Sequence, residues 1–80
     1  MRKELTYEVI RNLGILSTSK GGWTTEVNLI SWNGKNPVID IRAWSPDREK
    51  MGKGITLTAE EKDKLKEILE DVDMSNPIED

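Results

Sequence analysis

Apolar and polar residues alternate along two stretches in the middle of the chain, and this alternation predicts two β-strands. In PVIDIRAW at 37–44, one face of the strand carries only aliphatic residues, and the opposite face carries Arg42 and Trp44. WTTEVNLISW at 23–32 is also rich in strand-forming residues, and the intervening NGK is typical of a hairpin turn. The sequence therefore predicts an antiparallel hairpin at its centre.

The register of this hairpin follows from its two faces, because a slip of one residue would mix apolar with polar positions. A three-residue turn at 33–35 keeps the faces separate. The predicted cross-strand pairs are Val27 with Ile41, Leu29 with Ile39, Glu26 with Arg42, and Thr24 with Trp44.

Two further strand patterns flank the hairpin. LTYEVIRNLGILS at 5–17 alternates at first and loses its period near Gly14, where a glycine inside a strand indicates a bulge or a bend. TSKGG at 18–22 is a turn by composition. GITLT at 54–58 predicts a short fourth strand.

The chain is predicted to end in a helix. Thr58 and Glu61 have the spacing of a capping box, which starts a helix after Thr58. A single apolar stripe follows at helical spacing. Its members are Leu65, Ile68, Leu69 and Val72. Pro77 lies beyond the predicted helix, and the acidic segment 73–80 is expected to be a frayed tail.

Together these elements predict an α+β fold with the order ββββα, in one domain spanning 1–80 with a core at about 5–72. One helix can cover only one face of a four-stranded sheet. The other face, which carries Trp32, Arg42 and Trp44, is predicted to stay open. Open faces of antiparallel sheets are ordinarily polar, so two tryptophans there indicate a ligand or a partner.

The composition argues against several classes of function. The chain has no cysteine and no histidine, which removes disulfides, thiolate metal sites and the commonest general base. The densest carboxylates lie on the solvent side of the predicted helix, and no spacing matches a calcium loop. We therefore expect no enzymatic activity, no metal and no cofactor. No apolar run approaches the ~20 residues of a membrane span, and the N-terminus lacks the apolar core of a signal peptide, so a cytoplasmic location is expected.

The net charge of −3 hides an asymmetry along the chain. Residues 1–58 carry nine basic and six acidic side chains, a net charge of +3, whereas residues 59–80 have a net charge of −6. A partner that meets the sheet therefore meets the basic part of the chain, and the acidic pI does not exclude an anionic ligand.

The glycines at the end of IRAWSPDREKMGKG, 41–54, suggest a phosphate-binding loop, but the motif is incomplete. Its first glycine is missing, no serine or threonine follows Lys53, and a strand rather than a helix comes next. Gly52 and Gly54 are instead expected to let a loop turn.

Basic and aromatic side chains gather around the predicted hairpin and the loop after it. They are Lys20, Trp23, Trp32, Lys35, Arg42, Trp44, Arg48, Lys50 and Lys53. A basic groove follows a nucleic-acid backbone and aromatic rings stack unpaired bases, so this set favours a single strand over a duplex. The pattern alone leaves open a second interpretation, in which the tryptophans are core or dimer residues and the charges are solvated.

The stretch VIDIRAWSPDREKMGKGITLTAEEKDKLKEIL at 38–69 resembles the core of the general transcriptional coactivator family known as positive cofactor four. The chain is more similar still to the compact bacterial YdbC-type members. That similarity lies in GW at 22–23, SWN at 31–33, WSPD at 44–47 and EKMGKGITL at 49–57. The order and spacing of these pieces carry the resemblance.

The resemblance implies a strongly curved sheet and a homodimer with the helices at its interface, which here means Leu65, Ile68, Leu69 and Val72. It also implies sequence-tolerant binding of single-stranded DNA across the sheet. The family's binding positions correspond to Trp32, Lys35, Arg42, Trp44 and Lys53. Lys20, Trp23, Arg48 and Lys50 are weaker candidates.

The sequence thus leads to the hypothesis of a non-catalytic, nucleoid-associated protein that binds single strands, with bases stacked on Trp32 and Trp44. Three questions stay open: whether Trp44 stacks a base or only shapes the groove, whether RNA also binds, and whether the role is in transcription, replication or repair. The alternative is a protein- or peptide-interaction module on the same face, because tryptophan and arginine also anchor protein interfaces.

Overall fold

The computed structural model describes residues 6–75, which form a four-stranded antiparallel sheet followed by one helix. The elements are β1 (Tyr7–Thr18), β2 (Thr24–Trp32), β3 (Val38–Trp44), β4 (Met51–Leu57) and α1 (Ala59–Glu70). Each strand pairs with the next one along the chain, in the order β1-β2-β3-β4. The predicted ββββα architecture is confirmed, and the sheet is open.

The central hairpin has the predicted register. Val27 pairs with Ile41, Leu29 with Ile39, Glu26 with Arg42, and Thr24 with Trp44. The turn closes through the Lys35 amide, which donates to the Trp32 carbonyl at 2.9 Å. Asn33 and Gly34 have φ values of 52° and 75°, which are typical of the type I′ turn that matches strand twist.

β1 is more irregular than its sequence pattern indicated. The irregularity predicted near Gly14 is present as a register shift between Asn12 and Gly14. Two further shifts lie between Val9 and Arg11 and between Ile15 and Ser17. A bulge places two residues of one strand opposite one residue of its partner and increases the local twist. The alternation of β1 side chains between the two faces of the sheet is therefore interrupted three times.

β4 begins at Met51, whereas the sequence predicted a strand that starts only at Gly54. Met51 pairs with Trp44, and an irregularity in the ladder between Arg42 and Trp44 accommodates the extra length. Gly52 and Gly54 therefore lie inside a strand, and the expectation that they turn a loop is wrong. Neither has a φ in the left-handed region. Gly54 is opposite Arg42, and a Cβ there would overlap both the Arg42 side chain and the Ile41 carbonyl.

The helix begins as its sequence predicted. The Glu61 amide donates to the Thr58 hydroxyl at 3.1 Å, and the Glu61 carboxylate accepts from the Thr58 amide at 2.9 Å, which completes the capping box. The described part of the chain contains no helix with the length and apolar content that crossing a membrane requires. Of the tail predicted at 73–80, residues 76–80 lie outside the described residues.

The face of the sheet that meets α1 is apolar but loosely covered. An open cavity of about 370 Å³ separates the sheet from the helix. Its apolar lining comprises Leu13, Val27, Ile39, Ile41, Leu57, Leu65 and Leu69. Ile68 and Leu69 of the helix are 63% and 55% exposed. Val72, predicted to continue the helical stripe, lies beyond the C-cap residue Asp71 and is 50% exposed. The helix alone therefore does not bury this face.

The opposite face is the better buried one, which corrects the expectation that it would stay open. Ile30 and Trp44 are the fully buried apolar side chains of the described residues, and both belong to this face. Three buried polar side chains, Glu26, Asn28 and Asp40, lie on the same face. β1 and the loop after β3 supply the cover, through side chains that reach across the sheet.

Candidate nucleic-acid interface

Three aromatic rings form a cluster on the face opposite α1. Tyr7 pairs with Trp32 across β1 and β2, and their ring centroids are 5.5 Å apart. The Tyr7 ring also lies 5.9 Å from that of Trp44. We call this surface, with Arg42 and Arg48 beside the rings, the aromatic face.

Arg42 lies flat on the aromatic face, held by Asp40. Its Nε donates to Oδ1 of Asp40 and its Nη2 donates to Oδ2, each at 2.7 Å. The guanidinium carbon is 5.0 Å from the centroid of the Trp32 ring, which is the geometry of a cation–π contact. Asp40 is fully buried and the Arg42 side chain is only 15% exposed, so this bidentate ion pair is largely buried.

Arg48, in the loop that follows β3, makes a second bidentate ion pair. Its Nη1 and Nη2 donate to the two carboxylate oxygens of Glu26, at 2.6 and 3.0 Å. Its guanidinium carbon lies 5.0 Å from the Trp44 ring centroid. The residue adopts a φ of 62°, an uncommon conformation for a side chain of this size. The ion pair and the ring contact together hold the loop against the sheet.

Glu26 is the anionic centre of this arrangement. It also accepts hydrogen bonds from Thr24 at 2.5 Å and from the amides of Asn12 and Asn28 at 3.4 Å. The hydrogen bond from Arg48, aided by those from Thr24 and Asn28, outweighs burial and lowers the pKa of Glu26 from 4.5 to about 2. The carboxylate therefore stays charged at neutral pH.

The pairing of charges differs from the one that the strand register suggested. Glu26 stands opposite Arg42 in the ladder, yet it binds Arg48, and Arg42 binds its own strand neighbour Asp40. Both arginines of the predicted site are thus neutralised by carboxylates of the same face. The sequence placed Glu26 and Asp40 on this face but did not identify either as part of the site.

The predicted lysines are placed differently from the arginines. Lys20, Lys35, Lys50 and Lys53 are exposed, and none of them forms an ion pair with another residue of 6–75. Lys35 follows the hairpin turn, and Lys53 lies in β4 beside the glycine that faces Arg42. These four lysines therefore carry positive charge that no carboxylate of residues 6–75 neutralises.

The three tryptophans differ in accessibility. Trp44 is only 2% exposed, with Arg48 over its ring, so in this conformation it offers no ring face to a base. Trp32 is half-buried, and its Nε1 is buried, so the accessible part of the ring is carbon. Trp23, also half-buried, lies in the turn before β2, where its amide and carbonyl both bond to Ser19.

Residues 6–75 contain no group of three or more acidic side chains that is arranged to hold a metal ion. The chemistry that the aromatic face offers is stacking, cation–π contact and hydrogen bonding from fixed guanidinium groups.

Two comparisons relate the chain to known proteins. Residues 19–68 match the family described as Transcriptional Coactivator p15 (PC4). An uncharacterized protein of Treponema pallidum (strain Nichols) is 59% identical over 63 residues, which cover 79% of this chain and 74% of that protein. The family match includes β2, β3, β4 and most of α1, and leaves β1 outside it.

Proposed function

Because this chain belongs to the Transcriptional Coactivator p15 (PC4) family, we propose that it is a non-catalytic protein that binds single-stranded DNA with little dependence on sequence. The family supports a DNA-binding, coactivator-like role. The finer proposal adds a preference for unpaired strands, a homodimeric state and association with the nucleoid.

The observation that carries this proposal is the half-buried Trp32 ring, whose accessible surface is carbon, next to Lys35 across the hairpin turn. Lys35 pairs with no carboxylate of residues 6–75. An unpaired base stacks on an aromatic ring with about 1–3 kcal/mol, whatever its identity. A duplex hides the faces of its bases and gains only the phosphate contacts. A surface with both features therefore favours a single strand.

The roles proposed for individual residues follow their exposure and pairing. Trp32 stacks a base, and Lys35 and Lys53 contact phosphates, with Lys20 and Lys50 as weaker contacts. Arg42 shares its charge with Asp40, and its chief role is to hold the Trp32 ring. The three other candidates, Trp23, Arg48 and Trp44, shape the surface. For Trp44, this role takes the place of the direct base stacking that the sequence suggested.

Titration with oligo(dT) tests the proposal. We expect quenching of tryptophan fluorescence, poor competition by a duplex of equal length, and weaker binding at higher salt. Lys35→Ala and Lys53→Ala should each weaken binding and reduce the slope of log K against log[salt] by about 0.7, the value for one phosphate contact on a single strand.

Lys64→Ala is the matched control, because Lys64 is exposed on α1, away from the aromatic face. It should leave affinity and salt slope unchanged. Neither quenching nor a mobility shift at low salt would overturn the proposal, and equal affinity for duplex would overturn the preference for single strands. A parallel titration with single-stranded RNA of matched sequence decides between DNA alone and both nucleic acids.

The exposed apolar residues of α1 support the homodimer. Within the described residues, only Ile30 and Trp44 are apolar and fully buried, whereas most of the predicted interface residues are at least half exposed. Packing α1 of one copy against α1 of another would remove that apolar surface from water, at about 25 cal/mol per Å². We propose that Leu65, Ile68, Leu69 and Val72 form this interface.

Ile68→Glu is expected to convert the protein from a dimer to a monomer, because a carboxylate would be placed in the apolar interface. Light scattering at micromolar concentration should give twice the 9.1 kDa of the chain for the wild type and the single mass for the variant. Glu67→Gln, a change at the adjacent exposed position, should stay dimeric. A monomeric wild type would refute the interface.

A further inference from the structure

Tyr7, at the start of β1, belongs to the aromatic cluster although the sequence pattern did not assign it to the interface. It is 40% exposed, compared with 2% for Trp44, and Trp32 is only half-buried beside it. Arg42 covers part of Trp32, and Arg48 covers Trp44. In the described part of the chain, no guanidinium lies over the Tyr7 ring. Tyr7 is therefore the most accessible ring of the cluster.

The position of Tyr7 is fixed by the hairpin between β2 and β3. The Asn33 amide donates to the Thr6 carbonyl at 2.8 Å, and the Asn33 side-chain oxygen accepts from the Thr6 amide at 3.0 Å. These two hydrogen bonds tie the beginning of β1 to the turn that carries Lys35. One corner of the sheet thus brings together an accessible phenol ring, the Trp32 ring and an exposed lysine.

We propose that Tyr7 is a base-stacking residue of the interface, which extends the binding surface from Trp32 onto β1. This inference rests on the proposed binding of single strands and adds a contact to it. The rings of Tyr7 and Trp32 are inclined by 44°, so one base cannot lie parallel to both. Each ring takes a separate base, and the strand bends where it passes from one ring to the other.

This contact belongs to a part of the chain that the family match does not include. β1 lies before residue 19, where the match begins, so Tyr7 is outside the matched residues. A phenol suits the role, because its ring can stack on a base while its hydroxyl keeps a polar partner.

Photocrosslinking tests direct contact in the unmodified protein. Oligo(dT) that carries 5-iodouracil, which crosslinks to aromatic side chains, is irradiated in the complex, and the tryptic peptides are analysed by mass spectrometry. The peptide ELTYEVIR, 4–11, contains the only tyrosine of the chain and no tryptophan. A crosslinked 4–11 peptide therefore identifies Tyr7, whereas GGWTTEVNLISWNGK, 21–35, reports on Trp23 and Trp32.

Two variants measure the contribution of the ring. Tyr7→Ser is expected to weaken oligo(dT) binding about 5- to 150-fold, the range for the loss of one stacked base. Tyr7→Phe keeps the ring and should stay within about twofold of the wild type. Circular dichroism of both variants shows whether the aromatic cluster remains folded.

The outcomes distinguish the role of Tyr7 from the proposed binding of single strands. If the wild type binds no oligonucleotide, the proposed function fails. If the wild type binds, crosslinks only through 21–35 and keeps its affinity in Tyr7→Ser, the proposed function stands and the role of Tyr7 is refuted. The crosslink does not depend on either variant, so it decides the question even if Tyr7→Ser does not fold.

Discussion

Replacing Asp40 with asparagine is expected to lower the free energy of unfolding by about 3–5 kcal/mol, the cost of removing one partner from a buried ion pair. Asp40 is fully buried and binds Arg42 through both carboxylate oxygens. Asparagine has nearly the same volume but no charge, so the guanidinium keeps its position without a counter-charge. The large effect therefore comes from the unpaired arginine and not from a cavity.

Urea denaturation of the wild type and of Asp40→Asn, at equal protein concentration, measures this difference. Asp63→Asn is the matched control, because it makes the same chemical change in the exposed ion pair between Asp63 and Lys62 on α1. We expect it to leave the stability almost unchanged, since exposed pairs contribute little. Equal effects of the two substitutions would show that the buried pair has no special importance.

The second large effect is the loss of stability at low pH that the Glu26 carboxylate causes. In the folded protein its pKa is about 2, compared with 4.5 ordinarily, so folding favours the charged carboxylate. A lowered pKa contributes stability that is fully present above about pH 4.5 and is lost as the pH falls towards 2. At 1.36 kcal/mol per pH unit, this contribution is about 3 kcal/mol at neutral pH.

Glu26→Gln should therefore lose about 3 kcal/mol of stability at pH 7, and its remaining stability should fall less steeply between pH 4.5 and 2 than that of the wild type. Urea denaturation at several pH values across this window measures both effects. Arg48→Met removes the largest cause of the lowered pKa from the other side, and it should reduce the acid dependence as well. An acid dependence identical in wild type and Glu26→Gln would contradict this account.

Features encoded by neighbouring residues were predictable from the sequence. The register of β2 and β3 follows from alternation together with a short turn at Asn33 and Gly34. The start of α1 follows from the reciprocal bonds of Thr58 and Glu61, three positions apart. Each of these signals lies within a few residues, where backbone geometry leaves few alternatives.

Features that depend on distant parts of the chain were not predictable. Arg48 binds a carboxylate 22 positions earlier, and its guanidinium then lies over Trp44 on the face that α1 does not meet. The choice of Asp40 as partner of Arg42 needs the space above Gly54, which no local pattern indicates. The two further bulges, at Ile10 and Leu16, were also not predicted. Where a strand loses its apolar–polar alternation, the sequence no longer indicates which residues share a face.

The placement of the candidate site residues on the sheet was predictable to a similar extent. The pattern placed Trp32, Arg42 and Trp44 on one face, and the structure brings all three there. The solvent exposure of these side chains was not predictable, because it depends on ion pairs that form only when the sheet is assembled. The sequence gives each side chain a face; the exposure of that side chain depends on what folds over it.

The bulges of β1 change what the edge of the sheet offers to another chain. β1 is an edge strand, and an edge with regular unpaired amide and carbonyl groups invites another chain to extend the sheet without limit. Three bulges in twelve residues twist this edge away from such pairing, although it carries the exposed aliphatic residues Ile10, Leu13 and Leu16. The irregularity of β1 thus protects this edge of the sheet against fibril-like growth.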